Sequence, residues 1–83
     1  MKTYPVYIHY ISDVQKFVHF MNTVKEDAIL RSRAYAVNPK SLLGVLSLDL
    51  TSVLSLETRD EEGRIEAFLR QSGLYFRGED VHA

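Results

Sequence analysis

Few side chains in this protein can carry chemistry. The chain has 83 residues, no cysteine, and three histidines at His9, His19 and His82. Without thiols there is no disulfide, no thiolate nucleophile and no cysteine-held zinc. An imidazole can act as nucleophile or metal ligand. His9 is expected on the outward face of a strand and His19 on the flank of a helix. Both read as solvated side chains, and His82, in the tail, is assigned no role.

Ser41 stands where a loop passes into a short helix. It follows Asn38-Pro39-Lys40 and precedes Leu42, Leu43, Val45, Leu46 and Leu48. A serine so placed suits a helix N-cap, worth about 1 kcal/mol. Arg31, Arg33 and Lys40 read as solvated strand-end charges rather than an anion site, because 10 basic residues are offset by 11 acidic ones and the net charge is -1. That balance supplies no field to gather nucleic acid or anionic lipid. Asp60-Glu61-Glu62 reads as an acidic helix start, not a metal loop. No phosphate loop, nucleophile elbow or zinc motif occurs, so no catalytic residue, metal or cofactor is expected.

The elements that position these residues follow from periodicity. Residues 4–11 alternate, with Tyr4, Val6, Ile8 and Tyr10 on one face and Pro5, Tyr7, His9 and Ile11 on the other, which reads as a strand. Pro5 confines itself to the strand's start or to a sheet edge. Ser12-Asp13 is expected to cap a helix whose stripe is Val14, Phe17, Val18 and Met21. Residues 28–37 read as two short strands around Arg31-Ser32-Arg33. Ser41 opens a short helix, which Gly44 weakens by about 1 kcal/mol relative to alanine. Val45 and Leu48 are expected inside, with Leu43 or Leu46 at least partly outside. Residues 52–58 alternate as a fourth strand. Asp60-Glu61-Glu62 then starts a helix with Ile65, Phe68 and Leu69 on its inner face, and Gly73 ends or bends it. Leu74-Tyr75-Phe76 packs down, and the tail, residues 78–83, frays.

The expected order is β-α-β-β-α-β-α. It predicts one α+β domain over residues 1–83, ordered from about 4 to 76, with three helices on one face of a four-stranded antiparallel sheet. No run approaches the roughly 20 apolar residues of a membrane span. No signal-peptide pattern follows Met1-Lys2-Thr3-Tyr4-Pro5. The expected location is the cytoplasm.

One segment carries a resemblance. Val37-Asn38-Pro39-Lys40-Ser41-Leu42-Leu43-Gly44-Val45-Leu46-Ser47-Leu48 resembles, without a gap, the V-N-x-K-S-I-M-G-x-M-S-L pattern of HPr, the histidine-containing phosphocarrier family of the bacterial sugar phosphotransferase system. Coarser similarity extends from Val6 to about Leu69. The resemblance implies an HPr-like open-faced β-sandwich. It implies that Ser41 is a site for an HPr kinase/phosphorylase, and that Lys40, Leu42, Leu43 and Leu46 form a docking surface for a protein partner.

The departure is equally specific. The family's phosphohistidine lies in G-[IL]-H-A-R-P just before the first helix. The matching stretch here is Tyr10-Ile11-Ser12-Asp13-Val14. About Ile11 stands at the histidine, about Asp13 at the arginine and about Val14 at the proline. Ile11 has no nucleophilic atom, and Asp13 repels a phosphoryl group. Ile11, Ser12 and Asp13 therefore read as a degenerate phosphohistidine site. The expected function is a non-catalytic regulatory or interaction domain. Its expected partner is an HPr kinase/phosphorylase, a catabolite-control regulator or a metabolic enzyme. The alternatives are a phosphocarrier using a displaced histidine and an oligomerisation module closed by the leucines; the sequence leaves the oligomeric state open.

Overall fold

The computed structural model describes residues 1–78. Its elements run β1 (Lys2–Val6), α1 (Ile11–Met21), β2 (Ala28–Arg31), β3 (Ala36–Val37), α2 (Leu42–Leu46), β4 (Leu54–Thr58) and α3 (Arg64–Ser72). The strands form one antiparallel sheet in the order β1-β4-β2-β3. The α+β class and the four-stranded open sheet agree with the sequence reading.

Register explains why only one face of the sheet is covered. Tyr4 lies opposite Leu56, Leu56 opposite Leu30, and Val6 opposite Leu54. All five are buried, as is Thr58 at the strand's end. The alternate row contains Thr3, Pro5, Ser55, Glu57, Ile29 and Arg31, none of them buried. There Arg31 Nε donates to Glu57 Oε2 at 2.7 Å across two strands. Because successive strand residues point to opposite faces, one row enters the core and the other meets solvent. The helices close the inner face with Val14, Phe17, Val18 and Met21 from α1, Val45 from α2, and Ile65 and Leu69 from α3. Phe20 and Phe68 stack in parallel with their ring centroids 4.1 Å apart, joining α1 to α3.

Several boundaries differ from the sequence reading. The first strand occupies Lys2–Val6 rather than 4–11, so the ordered part begins before residue 4. Pairing with β4 ends at Val6–Leu54, and the chain then turns toward α1. Ile8 stays buried, but Tyr10 is 71% exposed and serves as the N-cap of α1 in extended backbone conformation. Ser12 and Asp13 are therefore residues of the first turn, not caps; the Asp13 amide donates to the Tyr10 carbonyl at 2.9 Å. The fourth strand starts at Leu54 rather than residue 52. The last helix starts at Arg64 after a left-handed Gly63, not at the acidic triplet. Phe68 is only half-buried. Gly73, with φ 79°, ends that helix, as its type suggested. Of the tail 78–83, to which fraying is assigned, residues 79–83, His82 among them, fall outside the described residues.

The triplet nonetheless supplies a cap through Asp60. Its carboxylate accepts from the Ile65 amide at 2.9 Å and the Glu66 amide at 3.0 Å, and from the Tyr4 hydroxyl at 2.7 Å. Asp60 is buried and holds a left-handed φ of 45°. Burial by itself would raise its pKa, but the Tyr4 hydroxyl and the two amides hold the carboxyl below the usual carboxylate range.

Candidate functional site: the short helix α2 and the mouth of α1

Five residues, Leu42–Leu46, make α2, too few to persist without outside support. Side chains supply that support at both ends. At the N-terminus Ser41 Oγ accepts from the Gly44 amide at 3.1 Å, the cap expected of it. At the C-terminus Tyr35, in the turn between β2 and β3, donates its hydroxyl to the Ser47 carbonyl. Ser47 Oγ in turn donates to the Gly44 carbonyl at 2.6 Å.

That turn has no Asn-Gly signal because Ser32 closes it instead. Its Oγ accepts from the Ala34 and Tyr35 amides at 3.3 Å and donates to the Tyr35 carbonyl at 3.1 Å. Gly44 is also explained. A Cβ built there would lie 3.2 Å from Ser41 Oγ, 3.3 Å from Ser41 Cβ and 3.4 Å from Val37 Cβ. The weak helix former lets α2 sit close against its own cap and against β3.

The leucines divide as the sequence suggested. Val45 and Leu48 are buried, while Leu43 is 80% exposed, with Leu42 and Leu46 near 40% and 39%. Tyr35, 47% exposed, borders them through its bond to Ser47. Lys40 stands at one end of this surface but faces inward: its Nζ donates to the Val24 carbonyl at 2.7 Å. The Lys40 carbonyl accepts from Asn22 Nδ2 at 3.0 Å. Lys40 thus ties the entry of α2 to the end of α1. Just beyond α2, the Thr51 hydroxyl and amide, with the Ser52 hydroxyl, hold the Asp49 carboxyl below its usual pKa.

The basic residues do not assemble. Arg31 bonds Glu57, Lys40 bonds Val24, and Arg33 lies within the electrostatic reach of Asp49. Arg31 and Arg33 are exposed, as their reading as solvated charges expected, whereas Lys40 departs from it, because its Nζ is turned inward to the Val24 carbonyl.

At the mouth of α1, among the described residues, no side chain caps the first amides. Ile11, 63% exposed, opens the helix, with Ser12 and Asp13 in its first turn. His9 is not on the outward row of β1, since that strand ends at Val6. It lies one residue ahead of the cap, exposed, with its ring edge-on to Tyr7 at 4.6 Å between centroids. His19 is exposed in the last turn of α1. Among the described residues, no group of three or more His, Cys, Asp or Glu side chains could hold a metal, and no helix is long and apolar enough to cross a membrane.

Sequence reasoning missed Asp60, whose role as a distant cap needs the fold, and Tyr35, whose reach to α2 spans twelve positions. The positive φ of Asp60 had a weak signal, since aspartate tolerates the left-handed region better than most residues. No protein-family model and no curated protein matches the chain.

Proposed function

We propose that the chain is a non-catalytic, HPr-like regulatory domain of the bacterial sugar phosphotransferase system, docking a protein partner through α2. The observation that carries this reading is α2 itself: Ser41 caps it, and Leu43 projects from it 80% exposed, flanked by Leu42 and Leu46. Exposed apolar surface grouped on one small element usually marks an interface. The sheet order β1-β4-β2-β3 with its one-sided core supports the HPr-like fold. The Tyr10-Ile11-Ser12 mouth supports the loss of phosphoryl transfer, because none of the three is an imidazole. Phosphorylation at Ser41 would set two negative charges beside the partner-facing leucines. An HPr kinase/phosphorylase, a catabolite-control regulator and a metabolic enzyme are the partners this reading favours, in the cytoplasm.

The test combines two measurements. HPr kinase/phosphorylase and ATP should place one phosphate on Ser41, read by mass spectrometry and absent in Ser41→Ala. Wild type, Ser41→Asp and Leu43→Glu should capture different partner sets from host lysate. Identical sets, with no Ser41 phosphate, would overturn the reading.

One observation favours a second reading: His9 is a single residue ahead of the α1 cap. Enzyme I with phosphoenolpyruvate would then give an acid-labile, base-stable adduct, lost in His9→Ala. The oligomerisation alternative predicts a concentration-dependent mass that collapses in Leu43→Glu.

A further inference from the structure

The outer edge of β1 is not bare. Past α3 the chain turns back through Gly73, and residues 74–76 run antiparallel along that edge. The Tyr7 amide donates to the Leu74 carbonyl at 2.9 Å, and the Phe76 amide donates to the Pro5 carbonyl at 2.9 Å. Val6 and Tyr75 form the bridge between these two bonds. Pro5 directs its main-chain side outward, where it offers a carbonyl and has no N–H to leave unmet.

Side chains seat the segment as well. Leu74 is 1% exposed. Tyr75 is covered by the Arg70 guanidinium, 4.1 Å above its ring, and leans on Tyr4 with centroids 6.1 Å apart. The Phe76 ring meets Tyr7 at 6.3 Å. The segment is tied to α3 as well: the Leu74 and Tyr75 amides share one acceptor, the Leu69 carbonyl, at 2.9 and 3.0 Å, and Arg70 belongs to that helix. Gly73 between them is exposed and left-handed, a joint at which the chain can change direction.

We propose that the outer edge of β1 is a strand-addition site whose occupant is an extended leucine-aromatic-aromatic segment, residues 74–76, seated in cis within one chain and exchangeable in trans with a second copy. An uncovered edge is a template for pairing with another chain. The segment that fits this one is present in every copy, and strand exchange about a glycine joint is a low-cost route to a dimer. The reading is independent of the α2 surface, which shares no residue with this edge.

The test uses the full chain and an N-acetylated peptide of residues 73–78 as probe. In a Leu74→Asp variant the buried anchor is charged, so the cis segment leaves the edge. That variant should bind the peptide saturably, with the Tyr7 amide resonance shifting and the melting temperature rising toward that of wild type. Wild type, its edge filled, should not bind at the same concentrations. A peptide carrying aspartate at the leucine position should bind neither. The milder Phe76→Pro variant, which loses one edge bond and keeps Leu74, serves if Leu74→Asp does not fold; it should bind the peptide more weakly than Leu74→Asp but above wild type. On unmodified protein, hydrogen exchange should find the Tyr7 and Phe76 amides protected. A folded variant that ignores the peptide, wild type that binds it equally, or a Tyr7 amide exchanging at the free rate each overturns the proposal.

Discussion

The Tyr4 hydroxyl donates to the Asp60 carboxylate at 2.7 Å, joining the edge strand β1 to the residue that caps α3. Both groups are buried, and Asp60 is the acceptor for the Tyr4 hydroxyl, while the carboxylate also accepts from the Ile65 and Glu66 amides. Replacing Asp60 by alanine removes a cap and orphans a buried hydroxyl, and should cost about 2–4 kcal/mol in urea unfolding. The Asp60→Asn change should cost less, because asparagine tolerates a left-handed φ and keeps one acceptor. Equal losses for Asp60→Asn and Asp60→Ala would count against this account.

The same pair sets two opposite pH limbs. The Asp60 carboxyl is held below its usual pKa, so it contributes stability that is complete above the unfolded carboxylate value near 4 and is lost as pH falls through the folded value. Burial first, and then the hydrogen bond to Asp60, pushes the Tyr4 hydroxyl well above its usual value. Its contribution is therefore complete below about pH 10 and fades as pH rises through the folded value. Unfolding free energy measured from pH 2 to 11 should show both limbs. Asp60→Asn should flatten the acid limb, and Tyr4→Phe the alkaline one.

Leu43 and Leu69 separate surface from core. Leu69 is fully buried in α3 and Leu43 is 80% exposed on α2. Leu69→Ala should destabilise by about 2–5 kcal/mol. Leu43→Ala should stay within about 0.5 kcal/mol. The midpoint of denaturant unfolding reads both.

Ser41→Ala should cost about 1 kcal/mol, the value of an N-cap. Ser41→Asp keeps an acceptor for the Gly44 amide and should restore most of that loss. Amide exchange across residues 42–46 should quicken in the alanine variant and recover in the aspartate one. Loss of equal size in both variants would mean that Ser41 Oγ does not cap α2.

Tyr35→Phe keeps the ring but withdraws the donor from the Ser47 carbonyl. Exchange of the Ser47 and Leu48 amides, which close the end of α2 on Leu43, Gly44 and Val45 carbonyls, should quicken. Exchange in β4 should not change.

Much of the architecture was legible because apolar period marks buried faces. Val14, Phe17, Val18 and Met21 marked the inner stripe of α1, and the alternation around Leu54 and Leu56 marked the inner row of β4. Ser41 was legible as a cap because its neighbours repeat at helical spacing. The limits of elements were harder to read. Tyr10 continues the alternation of β1 in type, yet register with β4 runs out at Val6, and only pairing partners can end a strand there. The caps of α3 escaped for a related reason. Asp60 lies four positions before the helix and reaches it by a left-handed backbone, with Tyr4 from the opposite end of the chain completing the bond. Leu74-Tyr75-Phe76 read correctly as packing down, but their place on the edge of β1 depends on where α3 ends in space.

A helix of five residues clamped by Ser41 on one side and by Tyr35 on the other has no independent existence. Its folding is borrowed from the hairpin that carries Tyr35. A change at the hairpin that carries Tyr35 is therefore felt at the far end of α2, and through it in how firmly Leu42, Leu43 and Leu46 are held in place.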